Sequence, residues 1–269
     1  MTHHSGTSEP QKSTPPLLTR EGPVAVLRFN RPDQANRIEP DDLPILRAHL
    51  DAIAQDTEIR AVIITATGKH FSAGYDLTSI LATVEEDPHA QYAVNPFGLM
   101  VDALEALPQP VICALNGGIY GGATDIALAC DLRLGVPHTK MFMPAAKLGL
   151  HYYLSGMRRY VSRLGFNAAK RLFLFAEDMD AQDMHRCGFL DRIVPADALM
   201  EEAMRTATAV AALAPLAVRG MKAALNDLAQ DRLVAEKFAQ TETECLRSAD
   251  IREGVTAWQE KRQAAFMAK

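Results

Sequence analysis

The chain is poor in several features that mark common protein classes. Aromatic residues make up only 6% of its 269 residues, and Trp258 is the single tryptophan. That is little for the stacking platforms that hold nucleobases. Positive charge is not in excess: 28 Lys and Arg stand against 33 Asp and Glu, a formal net charge of −5. A basic nucleic-acid surface is therefore not expected. The four cysteines, Cys113, Cys130, Cys187 and Cys245, form no CxxC pair. They read as reduced, mostly buried thiols of a reducing compartment, with no metal site expected. No run of 18 apolar residues occurs, so no membrane-spanning helix is expected. Residues 1–18 are polar and rich in Pro, Ser and Thr, without the apolar core of a signal peptide. They are expected as a mobile tail, and the cytoplasm as the location. The sequence also lacks a G-x-S-x-G elbow, a Walker A loop, a G-x-G-x-x-G turn and an H-E-x-x-H pair. Serine-hydrolase, P-loop, Rossmann and zincin readings all lose support.

What is present is a hydrophobic content of 48%, enough for a large core. Strands are expected at 24–29, 60–65, 111–115, 131–134 and 141–143. The nearly continuous β-branched run at 60–65 suits a strand covered on both faces. Between them lie segments of helical spacing: one from Asp41 and Asp42 with Leu43, Leu46, Leu50 and Ile53 on one face, others near 99–107, 124–130, 155–165 and 167–176. Residues 88–96 read as a loop or insertion. From Ala196 the pattern is helical almost to the end, with a break near Pro215. Strands alternating with helices, followed by a helical third, indicate an α/β fold with an appended helical region.

Two turns stand out. Ser72-Ala-Gly74 follows the strand at 60–65, and Asn116-Gly-Gly-Ile-Tyr-Gly-Gly122 follows the strand at 111–115 and leads into an apolar helix. Small-residue turns at helix starts leave backbone N–H groups unpaired and directed into a cleft. Two such turns can hold one anionic oxygen between them, as an oxyanion hole requires. A tight bend or close packing explains either turn alone. A phosphate cradle is a further option for the second, although no lysine or metal-binding hydroxyl accompanies it.

These segments resemble the enoyl-CoA hydratase/isomerase family, or crotonase superfamily. The likeness runs through five ordered stretches: 29–36, 64–77, 110–133, 181–194 and 253–262. It implies a spiral of ββα units over residues 19–195 and a C-terminal helical trimerisation region over 196–269. A homotrimer, or a hexamer built as a dimer of trimers, is implied with it. The implied substrate is an acyl-CoA thioester, with coenzyme A arriving as part of the substrate and no permanently bound cofactor. Its carbonyl oxygen would meet the backbone amides of Tyr75 and Gly122. The resemblance places Gln34, Ala35, Ala73, Gly74, Asp76 and Leu77 along the CoA portion. Arg158, Arg159, Arg163, Lys170, Arg171 and Lys261 are candidate phosphate contacts, each equally readable as part of a solvated helix face.

The departures from the family pattern bear on the reaction. Its hydratases use two glutamates on water. The first position is Asp125, which keeps a carboxylate but is one methylene shorter; the second is Ala145, which transfers no proton. Asp125 could equally be a helix-start carboxylate that only complements the dipole. Lys147 is near but would need a depressed pKa to act as a base. The stretch 148–156 partly resembles the methylmalonyl-CoA decarboxylase branch, which places Tyr152 at the substrate. His151 is a second candidate there, and both residues also read as packed structural side chains. The implied activity is an atypical hydratase. Decarboxylase, thioester hydrolase and non-catalytic acyl-CoA binder remain as alternatives.

Overall fold

The computed structural model describes residues 13–78 and 95–269. The expected loop at 88–96 lies outside them except for Asn95 and Pro96. Asn95 caps a helix by accepting the Gly98 N–H at 3.1 Å, and Pro96 takes the first helical position, where a missing N–H costs nothing.

The main sheet has six strands in the order β1 (Leu17–Glu21), β2 (Val24–Phe29), β3 (Ala61–Ala66), β5 (Val111–Leu115), β7 (Leu132–Gly135) and β10 (Arg192–Ile193). β1 pairs antiparallel with β2, and the other pairings are parallel. β3 and β5 are buried throughout, as their continuous apolar sequence demands. A second sheet runs β4 (His70–Ser72), β6 (Gly118–Tyr120), β8 (Lys140–Phe142) and β9 (Met179–Asp180). β3–β4, β5–β6 and β7–β8 therefore repeat one pattern, a long strand in the first sheet followed by a short one in the second. That repeat is the expected spiral, and the mixed α/β class holds.

The helices are α1 (Asp42–Gln55), α2 (Pro96–Glu105), α3 (Gly122–Ala129), α4 (Leu154–Leu174, interrupted at Gly165), α5 (Ala181–Arg186), α6 (Leu199–Ala211), α7 (Pro215–Ala229), α8 (Ala235–Arg247) and α9 (Ala249–Glu260). One face of the main sheet packs with α1, α2 and α3 in the larger core, which includes Leu46, Leu50, Val62, Ile64, Val101, Leu104 and Cys113. The other face receives α6 through Leu199, Ala203, Ala207 and Ala211, at spacings of four. Small residues let that helix approach closely, so the start of the helical third is packed as part of the core. β1 likewise takes in Leu17 and Leu18, inside the stretch expected as a tail. All four cysteines are free; Cys113 and Cys130 are buried and the other two half-buried. No single helix among the described residues is long and apolar enough to cross a membrane.

Candidate active site

The two expected turns are brought together by the small sheet, where β4 pairs with β6 in parallel. The first turn is fixed from the 35–38 segment. Ala73 N–H donates to Ala35 O at 2.8 Å, Ser72 Oγ to Asn36 O at 2.7 Å, and Ile38 N–H to Gly74 O at 2.9 Å; Asp76 N–H returns to Ile38 O at 2.9 Å. Ile38 thus bonds the residues on either side of Tyr75. In such a parallel bridge the skipped residue turns its own amide the other way. Gly74 has φ +94°, and a Cβ on it would stand 2.6 Å from Tyr120 O and 3.1 Å from Gly122 N. Only glycine allows this approach of the two turns. In the second turn Gly121 N–H is taken by Phe142 O at 3.0 Å, while Gly122 begins α3 and its amide has no intrahelical acceptor. Among the described residues neither the Tyr75 nor the Gly122 amide has an acceptor.

Both residues line a cavity of about 260 Å³, together with Ala73, Asp76, Leu77, Gly121, Met143, Pro144, Ala145, Leu148, Leu150, Tyr152 and Arg37. Its wall is mostly apolar. Asp76 sits beside the exposed Arg37 and Leu77, with Arg37 Nη1 at 3.8 Å and Thr78 Oγ1 donating at 2.5 Å. Tyr152 is buried, and among the described residues its hydroxyl has no partner at hydrogen-bond geometry. Burial first, and the charge of Asp125 next, push this hydroxyl well above the ordinary tyrosine range, so it keeps its proton. Ala145 is 4% exposed and presents only a methyl group.

Asp125, expected as the first catalytic carboxylate or as a helix-start carboxylate, lies away from the cavity surface. It is 0% exposed and does not line the cavity. Arg159, also 0% exposed, grips it with both arms, Nε to Oδ1 at 2.9 Å and Nη2 to Oδ2 at 2.7 Å, and Tyr153 donates its hydroxyl to Oδ2. The same guanidinium reaches Asp102 at 2.7 Å and Glu105 at 3.1 Å. Arg159 is thereby removed from the candidate phosphate contacts. Arg163 is drawn inward too, pairing with Glu105 at 2.9 Å. Lys170 stacks on Phe166, and Arg171 pairs with Glu177. Neither these residues nor Arg158 and Lys261 line the cavity.

His151 is exposed and outside the cavity wall, with Nδ1 on Tyr152 O at 2.9 Å. Gln34 and Ala35 do not line the cavity; Ala35 O accepts from the Ala73 N–H of the first turn, and Gln34 Oε1 accepts from Arg37 Nη2 at 3.5 Å. Sequence reasoning missed Arg37, Tyr153 and the role of Arg159. A signal existed for the last: Gly156, Arg159 and Tyr160 follow helical spacing, which marks one buried face of α4. Among the described residues no group of three His, Cys, Asp or Glu side chains could hold a metal ion.

The family model for enoyl-CoA hydratase/isomerase matches residues 19–269. The chain is 31% identical over 256 residues to a short-chain-enoyl-CoA hydratase of Clostridium acetobutylicum, covering 92% of this chain and 95% of that one. It is 32% identical over 262 residues to a crotonyl-CoA hydratase of Syntrophomonas wolfei, covering 94% and 98%. The crystal structure of an enoyl-CoA hydratase from Bacillus anthracis superposes with a TM-score of 0.85 at 29% identity, covering 95% of this chain and all of that one. The chain belongs to the enoyl-CoA hydratase/isomerase family.

Proposed function

We propose that this enzyme is an acyl-CoA lyase that holds the thioester carbonyl oxygen between the Tyr75 and Gly122 amides and proceeds through an enolate. The observation carrying this reading is two amides without an acceptor among the described residues, both on one cavity that Tyr152 also lines. Fixed dipoles meet the developing charge without reorganising, and each such donor is worth about 2.7–4 kcal/mol in the transition state. Arg37, exposed and paired with Glu39 at 2.7 Å, is a candidate to exchange that partner for a phosphate of CoA.

The reaction this geometry supports best is loss of carbon dioxide from a 2-carboxyacyl thioester. The C–C bond to the carboxylate breaks, its electron pair enters the thioester as an enolate, and the Tyr152 hydroxyl gives its proton to carbon. Solvent then reprotonates the tyrosinate. No carboxylate base is required. Hydration does require water to be activated, and here Asp125 is held by Arg159 while position 145 is an alanine. An atypical hydratase is the second reading, favoured by the activities named for the two relatives. The exposed apolar faces of α7 to α9 support assembly as a trimer or a dimer of trimers.

Incubation with methylmalonyl-CoA and with crotonyl-CoA, followed by mass spectrometry, tests the proposal. Propionyl-CoA with little hydration product is expected. Rapid formation of 3-hydroxybutyryl-CoA would instead establish the hydratase. Free CoASH would identify a hydrolase, and tight binding without turnover a binding protein.

A further inference from the structure

Asp125 lies behind the cavity, yet it is joined to the cavity wall by a short chain of contacts. Its Oδ2 accepts from the Tyr153 hydroxyl. The Tyr153 ring is stacked on that of Tyr152, with centroids 4.5 Å apart and planes 27° apart. Tyr152 is enclosed on its remaining sides by Tyr160 at 6.1 Å and Phe173 at 5.2 Å. Gly156 sits so close that a Cβ there would stand 2.4 Å from Tyr152 Cε1. Two neighbours of the ring that lines the cavity have a directional polar anchor: Tyr160 on the Thr124 hydroxyl, and Tyr153, the one stacked on it, on Asp125 fixed by Arg159.

We propose that Asp125, Arg159 and Tyr153 form a positioning unit. The carboxylate at 125 affects the reaction by holding Tyr153, and through it Tyr152, and not by exchanging a proton with the ligand. This rests on the reading of Tyr152 as the proton donor. Arg159 orients the carboxylate by its two-armed grip, which fixes direction as well as charge. The carboxylate orients the phenol of Tyr153, and the stacked pair fixes the Tyr152 ring in the cavity wall. Misplacing a reacting group by 1 Å can cost about 10²-fold in rate, so such a unit is worth keeping.

A double-mutant cycle on the full-length enzyme tests it. Tyr153→Phe removes the anchor and leaves the Asp125–Arg159 pair intact, which guards against a folding defect. It should lower kcat by about 10- to 10²-fold with KM nearly unchanged. In a Tyr152→Phe background it should lower kcat little further. Asp125→Asn should behave likewise. Full, additive losses in both backgrounds would show that Asp125 or Tyr153 acts on the ligand directly and would overturn the proposal.

A second readout does not depend on turnover. With 3-fluorotyrosine incorporated, the Tyr152 fluorine resonance is assigned by its disappearance in Tyr152→Phe. It should shift or broaden in Tyr153→Phe and in Asp125→Asn. An unchanged resonance would overturn the positioning role. A changed resonance in a protein that turns over no thioester would keep that role and refute the proposed reaction.

Discussion

Asp125 stands in the first turn of an apolar helix, where a buried carboxylate without a partner would be strongly unfavourable. Arg159 supplies the countercharge from α4, thirty-four positions away in sequence. Arg159 keeps Asp102 and Glu105 if the aspartate is lost, but among the described residues Asp125 has no other cation, so removing the arginine leaves a wholly buried carboxylate uncompensated. Arg159→Met is expected to destabilise the fold by about 3–5 kcal/mol, read from urea unfolding. A loss within about 0.5 kcal/mol, as at ordinary surface sites, would contradict the geometry. The Tyr152 hydroxyl is expected to behave differently. Tyr152→Phe should lower kcat by about 10²–10⁴-fold, as loss of a general acid does, with little change in stability. The family resemblance, carried over residue by residue, pointed to Tyr75, Gly122, Tyr152 and the alanine at 145, and all four line the one cavity. The sequence could not separate Arg158 from Arg159: the two are adjacent, and only the facing of α4 makes one exposed and the other buried.

At the scale of elements, strands of four or more residues with apolar runs were legible, and β2, β3, β5 and β7 lie where expected, within a residue or two; the three-residue β8 was also found, from its apolar Met141-Phe-Met143. β4, β6, β9 and β10 span two or three residues, too few for any periodicity, and long-range pairing alone defines them. The C-terminus illustrates the same limit. After α9 the chain turns back, and Glu253 receives both Arg262 arms at 2.6 and 2.9 Å and the Ala265 N–H at 2.8 Å. The Arg262 hydrogen bonds, and next the Ala265 amide, hold the Glu253 carboxyl down at about 2 from its usual 4.5. A depressed carboxyl pKa contributes stability above the unfolded value and loses it as pH falls through the folded one. Protection of the Ala265 amide from hydrogen exchange should therefore be full above about pH 4.5 and vanish towards pH 2. Protection independent of pH over that range would show that the turn is held by other contacts.

At the scale of the whole molecule, the six-stranded sheet is covered on both faces, and α6 belongs to that covering. Beyond it, α7, α8 and α9 expose Leu225 and Leu246 at 66% and Trp258 at 86%. Exposed apolar side chains on adjacent helices are what the proposed assembly would cover. Light scattering coupled to size-exclusion chromatography should give three or six times the 29.4 kDa chain mass, and a monomer would refute the proposed assembly. The central proposal is the polarisation of a thioester carbonyl by the Tyr75 and Gly122 amides, whatever reaction follows. Isotope-edited infrared spectroscopy of bound [1-¹³C]butyryl-CoA reads that bond directly. The carbonyl stretch is expected at clearly lower frequency in the complex than in water. A bound thioester whose stretch stays at or above its value in water would contradict an oxyanion hole at this cavity.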